Sequence, residues 1–379
     1  MSIAIPSAPA ELTPAWCTVA LQAAGVLNGA VVTRVDVEDI GEGFGFTGVV
    51  VRVRLIYSPD AQNLPEAMVV KLPLARQAMP SSYRQEVDRD PVAALAHFER
   101  AAREIRFYRD FHTSAAAPFP CFYYGAADQE QGVVLVLEDI TPARHVDALA
   151  GGTADDAWAV LEPLARWHAL WWEDLRLSEL AWLPRWGGDP DARQLRYRER
   201  VDAFLTLHQH RTPDDIVELV LVLREQYAAV IRELAVAPAT AIHGDMHLDN
   251  VLYHEPRAGQ RATIIDWQGV SRGSCALDAM LFLVDALPVE VRREEGDELL
   301  QRYFNALVEH GIADYTRERF LRDGRLALLQ RFSGTVTWLA RAEPDTLEGR
   351  ERAIVDDIFE RGQLFTAIRD YAAGDALPS

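Results

Sequence analysis

The sequence predicts an α+β fold, with the strands gathered towards the N-terminus and helices filling most of the rest, on three observations. Up to about residue 140, short apolar runs alternate with polar loops; Val49, Val51, Val53 and Leu55 alternate with Arg52 and Arg54 as in a half-buried strand. Beyond Thr141-Pro142 the apolar residues recur at helical spacing. The exception, Ala241 to Trp267, carries short apolar stretches at Ile242, Asn250–Tyr253 and Thr263–Ile265 between polar loops, and reads as a small hairpin inserted among helices. The expected division is a β-rich part at 1–140, built on an antiparallel sheet and one helix, and a mostly helical part at 141–379.

Thr13-Pro14 supplies an N-cap and a first helical residue, and the helix is expected to run to about Leu27, closed by Asn28-Gly29. Strands follow within Val31–Tyr57 and at Ala67–Leu72, where Pro73 ends the run. Pro91 to about His112 is helical, with Leu95, Phe98, Ala102, Ile105 and Phe107 apolar amid charges. Phe119–Tyr124 and Gly132–Leu137 read as neighbouring strands around a turn at Ala127–Gln131. The later helices are expected at Asp155–Trp172, Asp191–His210, Pro213–Leu234, Ser274–Leu287, Val289–Glu309, Tyr315–Ala340 and Gly349–Tyr371.

Composition excludes some functions. The 379 residues include 38 Lys plus Arg and 57 Asp plus Glu, a net charge of −19. A chain this acidic lacks the basic surface that replaces counterions on nucleic acid, and an anionic membrane surface repels it. No apolar run approaches the roughly 18–20 residues that span a bilayer. Three scattered cysteines, Cys17, Cys121 and Cys275, and no basic segment before an apolar core at the N-terminus lead to an expectation of a cytoplasmic protein. Neither nucleic acid nor membrane is therefore expected as a partner, and a monomer or homodimer is.

Three stretches carry chemistry. Gly41-Glu42-Gly43-Phe44-Gly45-Phe46-Thr47-Gly48 is rich in glycine, but a dinucleotide fold needs such glycines to open a helix, and Gly48 leads into a strand. Gly43, Gly45 and Gly48 thus sit at a hairpin tip. That tip is either a plain glycine-rich turn or a lid whose backbone approaches phosphates closely. Lys71 ends an apolar strand; it is a solvated strand end or a point charge for phosphates, and the second role needs a carboxylate partner. Glu104 and Glu99 compete for it. Five residues separate them, about 140° round a helix, so both are not expected to face inward.

The third and most specific stretch is Ile242-His243-Gly244-Asp245-Met246-His247-Leu248-Asp249-Asn250-Val251-Leu252, followed by Ile264-Ile265-Asp266-Trp267. Phosphoryl transfer needs a carboxylate to orient and deprotonate a hydroxyl, and Asp245 fits. It also needs oxygen ligands for Mg²⁺, and Asn250 and Asp266 are hard oxygen donors of that kind. A metal-dependent hydrolase is the alternative from His243, Asp245, His247, Asp249 and His254, although no His-Glu-x-x-His or Cys-x-x-Cys frame exists.

Together these residues make the sequence resemble the aminoglycoside phosphotransferase and choline kinase group of small-molecule kinases, which share the protein-kinase-like fold. Leu135–Ile140 and Ile265-Asp266-Trp267-Gln268 look most like the ecdysteroid-kinase-like branch. The resemblance runs from about Ile40 to Leu283 and implies a two-lobed protein-kinase-like fold that uses ATP and Mg²⁺. It implies Asp245 as catalytic base, Asn250 and Asp266 as Mg²⁺ ligands, and Lys71, paired with Glu104, on the nucleotide phosphates. Gly43, Gly45 and Gly48 would form the lid, and Glu138 to Ile140 the joining segment that hydrogen-bonds adenine. His243 and His247 would be structural, and Asp278 would brace the catalytic loop. Gly244 stands where protein kinases have Arg, and Trp267-Gln268 follows Asp266 in place of Phe-Gly. No activation segment of protein-kinase length follows, so a small-molecule hydroxyl acceptor is favoured over a protein.

The acceptor is expected to be an apolar alcohol, steroid-like or a hydroxyacyl thioester, with a cationic amino alcohol as the alternative. Trp158, Trp167, Trp171, Trp172, Trp182, Trp186 and Trp338 either pack the helical core or line the acceptor pocket, some as a cage for a quaternary ammonium. Glu173 and Asp174 either add negative charge for an amine or lie solvated near a helix end. A nucleotide-binding pseudokinase is the reading of another class.

Overall fold

Alternation decides the first sheet. A computed structural model describes residues 3–41, 48–59, 62–73, 91–114, 117–257, 259–343, 347 and 349–372. Within them, strands β1 (Val32–Asp39), β2 (Gly48–Tyr57), β3 (Ala67–Pro73), β4 (Phe122–Asp128) and β5 (Gly132–Glu138) form an antiparallel sheet in the order β1-β2-β3-β5-β4. Val51, Val53 and Leu55 of β2 and Met68, Val70 and Leu72 of β3 turn to one face. There they pack with Leu12, Cys17 and Leu21 beside and along helix α1 (Pro14–Ala23). The other face meets helix α2 (Pro91–Phe111), which buries Ala102, Ile105, Tyr108 and Phe111. These elements, with Thr263–Gly269, make one compact unit; Arg144–Ala262 and Val270–Ser379 make the other.

In the second unit, helices α3 (Ala154–Leu170), α4 (Leu175–Glu179), α5 (Pro190–His208) and α6 (Asp214–Ala235) precede strand β6 (Thr240–Ile242). β7 (Val251–Arg257) and β8 (Gln260–Ile264) make a two-stranded sheet, and β6 pairs antiparallel with β9 (Ser271–Gly273). Helices α7 (Cys275–Ala286), α8 (Val289–Glu309), α9 (Arg317–Leu339), α10 (Gly349–Glu360) and α11 (Gln363–Ala367) complete it. α7 is buried on nearly every side, as its near-continuous apolar sequence requires, and α9 and α3 pack against it.

Several boundaries differ from expectation for local reasons. α1 stops at Ala23, because Gly25 takes a left-handed conformation (φ +69°) and the Val26 N–H bonds back to the Leu21 carbonyl at 3.0 Å. The expected helix from Gly349 to Tyr371 is broken at Gly362 (φ +58°). β4 begins at Phe122, past Pro118 and Pro120, which have no N–H for a ladder, and runs on to Asp128, whose carboxylate accepts the Glu130 and Gln131 N–H groups of the turn. β9 and α4 carry too little pattern to be read from sequence. Among the described residues, no helix is long and apolar enough to cross a membrane.

Candidate active site

In β3 the two-residue period that sends Met68, Val70 and Leu72 into the core sends Lys71 to the opposite face, that of α2. Lys71 Nζ donates to Glu104 Oε1 at 2.7 Å and to Asp266 Oδ1 at 3.3 Å. Glu99, round the helix, pairs with Arg106 at 3.2 Å instead. Burial disfavours the Lys71 ammonium, but the Asp266 and Glu104 carboxylates outweigh it and hold the group above its ordinary range. Burial pushes Glu104 up to about 7; Lys71 opposes that shift, and the like charge of Asp266 adds to it.

Asp266 is one of the few non-glycine residues at positive φ (+64°), a conformation that costs about 1–2 kcal/mol and persists where the surroundings enforce it. The next residue supplies the enforcement. Trp267 is fully buried, stacks on Phe107 with ring centres 4.2 Å apart and planes 8° from parallel, and donates Nε1–H to the Ile264 carbonyl at 3.1 Å. Glu138 ends β5, its N–H given to the Cys121 carbonyl at 2.9 Å, and Ile140 lies buried just beyond. Gly48 opens β2 where a Cβ would stand 2.8 Å from the Leu72 carbonyl oxygen, so the close approach of β3 requires glycine. Gly43 and Gly45 lie outside the described residues.

The second unit carries the loop after β6. Asp278, 1% exposed in the first turn of α7, accepts the His243 N–H at 2.6 Å on one carboxylate oxygen and the Gly244 N–H at 2.9 Å on the other. Gly244 takes φ +81°, which turns the chain here. The buried His168 ring meets the same carboxylate through Nε2 at 3.2 Å and the Tyr303 hydroxyl through Nδ1 at 2.6 Å. The Asp245 N–H donates to His243 Nδ1 at 3.2 Å. Asn250 Nδ2 donates to the Asp245 carbonyl at 2.9 Å and faces His247 Nε2 at 3.0 Å. That leaves the Asn250 amide oxygen, a hard donor, for a ligand. The Asp245 carboxylate has no hydrogen bond among the described residues; the residue lines a cavity of about 110 Å³ together with Leu281, Asp285, Gln330, Arg331 and Thr335.

The structure thus gathers Lys71, Glu104 and Asp266 in one unit, and His243, Asp245, His247, Asn250 and Asp278 in the other. Among the described residues, no three His, Cys, Asp or Glu side chains are grouped to hold a metal ion. His243 and His247 spend a ring nitrogen each inside the loop, which counts against the hydrolase alternative. Sequence reading missed Arg331 and Asp285, on different helices with no local spacing to connect them, and it placed His168 only among the aromatics. Trp167 proves to be core, donating to the Ala241 carbonyl at 2.8 Å, and Asp174 caps α4. Glu173 is tied to Ala239 through both its N–H and its carboxylate.

Solved structures share this architecture. An ethanolamine kinase of Plasmodium vivax superposes with a TM-score of 0.53 at 12% identity, over 93% of this chain and 86% of that one. A putative aminoglycoside phosphotransferase of Ralstonia eutropha gives 0.53 at 12%, over 94% and 97%. More particularly, the ecdysteroid kinase-like family profile matches residues 197–313. An uncharacterised kinase-like protein of Caenorhabditis elegans is 27% identical over 219 residues, 55% of this chain and 57% of that protein, so the match spans little more than half of the relative. The chain is thus similar to kinases and kinase-like proteins, in line with the resemblance read from its sequence.

Proposed function

We propose that the protein is an ATP- and Mg²⁺-dependent phosphotransferase acting on a hydroxyl of a small organic acceptor. The observation that carries this reading is the Asp245 carboxylate, without a hydrogen bond among the described residues, on a loop whose backbone is braced by Asp278 and whose cavity side is open to a ligand. A general base needs that placement: fixed by its main chain, with its oxygens available to the incoming proton.

The acceptor oxygen forms the bond to the γ-phosphorus as its proton passes to Asp245. The bond from that phosphorus to the bridging oxygen breaks, and its electron pair leaves on ADP. The products are a phosphomonoester, ADP and the proton that Asp245 returns to water. Lys71, held by Glu104, would place one positive charge on the nucleotide phosphates, and the lid expected at Gly43, Gly45 and Gly48 would cover them. Glu138 to Ile140 offers backbone groups to adenine. Asn250 and Asp266 are the residues that would hold Mg²⁺, which would offset the charge of the phosphates. Residues 1–140 act as the nucleotide-clamping part and 141–379 as the catalytic and acceptor-binding part.

Coupled ADP-release assays and calorimetric Mg–ATP binding test the reading. Asp245→Asn should lower turnover by about 10²–10⁴-fold, the usual contribution of a positioned base, while Mg–ATP still binds. Near wild-type turnover in that variant would remove Asp245 from its role. Asp266→Asn should weaken Mg–ATP binding itself. A wild-type chain that binds no Mg–ATP would sink the phosphotransferase reading altogether.

A further inference from the structure

The cavity beside Asp245 has a wall of unusual chemistry. Arg331, on α9, donates through Nη2 to Asp285 Oδ2 of α7 at 2.6 Å, and both line the space that Asp245 lines. Resting on the phosphotransferase reading, we propose that this cavity takes a neutral hydroxylated acceptor, a vicinal diol or larger polyol. The Arg331–Asp285 pair holds the hydroxyl next to the one delivered to Asp245.

Charge separates the candidate acceptors. Asp245 and Asp285 against Arg331 leave the lining with one negative charge in excess, which repels a carboxylate or phosphate on the acceptor. With Asp245 committed to the reacting hydroxyl, a cationic acceptor needs a second, unclaimed carboxylate or an open aromatic face. Asp285 already has its counter-ion in Arg331, and Asp285 and the nearby Asp245 hold that guanidinium charged. Among the described residues that line the cavity none is aromatic, so it offers no ring face to an ammonium.

A hydroxyl both donates and accepts, and an Arg–Asp pair offers N–H and carboxylate oxygen side by side. Among the described residues, the Arg331 guanidinium hydrogen-bonds to Asp285 through one nitrogen, which leaves further donors for a ligand. Gln330 and Thr335 add polar groups to the same wall. A volume of about 110 Å³ lies well below the roughly 300–1,000 Å³ that buries a drug-sized ligand, so it admits the reacting end of a small molecule. The sequence alone favours an apolar alcohol; the polar wall favours a polyol, since an apolar skeleton would leave Arg331 and Asp285 desolvated without partners.

The test uses the full chain with Mg–ATP and four acceptor sets: neutral polyols from propane-1,2-diol to xylitol, choline, a sterol, and a short hydroxy acid. Turnover is expected with the polyols, with a KM at least 10-fold lower for the diol than for 1-propanol. Arg331→Met should raise the polyol KM about 10-fold or more and erase the diol-over-monool preference, with Mg–ATP affinity within twofold of wild type; Arg331→Lys should restore part of it. Asp285→Asn, the second variant, should weaken the same preference, and thermal melts establish that each variant is folded. Turnover confined to choline, sterol or hydroxy acid overturns the proposal, as does Mg–ATP binding without polyol turnover, or a diol preference that survives Arg331→Met. Failure to bind Mg–ATP at all is the separate failure of the phosphotransferase reading.

Discussion

Asp278→Asn replaces one oxygen of a buried carboxylate by an NH₂. Each oxygen of the buried carboxylate accepts one backbone N–H, from His243 and from Gly244. The amide keeps one oxygen, and its NH₂ then faces an N–H that has lost its acceptor. A buried donor left without a partner costs about 1–3 kcal/mol. The surviving bond loses its charge assistance, about 1 kcal/mol more. The variant should therefore be less stable by about 2–4 kcal/mol, a fall in melting temperature of roughly 5–15 °C for a unit of this size. Calorimetry reads the melting temperature, and amide hydrogen exchange reads the Gly244 N–H, which should lose protection. The exchange result is local: general loosening of α7 would expose many amides, whereas loss of the brace exposes those of the loop first. A melting temperature within about 2 °C of wild type, with Gly244 still protected, would refute the claim that this carboxylate holds the loop.

Gly48→Ala should destabilise by about 1–3 kcal/mol in urea unfolding, because the new Cβ meets the Leu72 carbonyl at 2.8 Å with backbone on both sides. Trp267→Ala should cost about 3–5 kcal/mol, since it empties the stack on Phe107 that enforces the left-handed turn at Asp266; an unchanged unfolding midpoint would count against that enforcement. Asp156 closes a capping box with Thr153 at the start of α3 and pairs with Arg144. Burial disfavours its charge, yet Arg144 and Thr153 outweigh burial and hold it below the usual carboxylate range. Its contribution is therefore complete above the unfolded value of about 3.9 and fades as pH falls through the lower folded value. Wild type should exceed Asp156→Asn in stability at pH 6, and the difference should shrink as pH drops below about 4. A difference that stays constant to pH 3 would show that charge has no part in it.

How much of the fold and site is legible in the sequence depends on how far along the chain each interaction reaches. The two-residue alternation in β2 and β3 is enough by itself to place Lys71 opposite the core, and the helical phase separates Glu104 from Glu99 by simple rotation. The loop from His243 to Asn250 is local too: its internal bonds run between residues two to five apart, so its sequence carries nearly all of its geometry. Helix ends are less legible, because the stops at Gly25 and Gly362 are set by a single left-handed residue inside an otherwise helical pattern. The brace on the loop lies further out, since His168 reaches Asp278 from 110 positions away. Arg331 and Asp285 lie 46 positions apart on helices whose patterns are dominated by core packing, and a single polar residue on such a helix looks like any solvated one. The same physics explains why reaction type and acceptor separate so sharply. The proposed base and the proposed metal ligand, Asp245 and Asn250, share one loop held by bonds between near neighbours, and such bonds leave spacing in the sequence. A wall that selects the acceptor need only converge on a cavity from whichever helices surround it, and no spacing records that convergence.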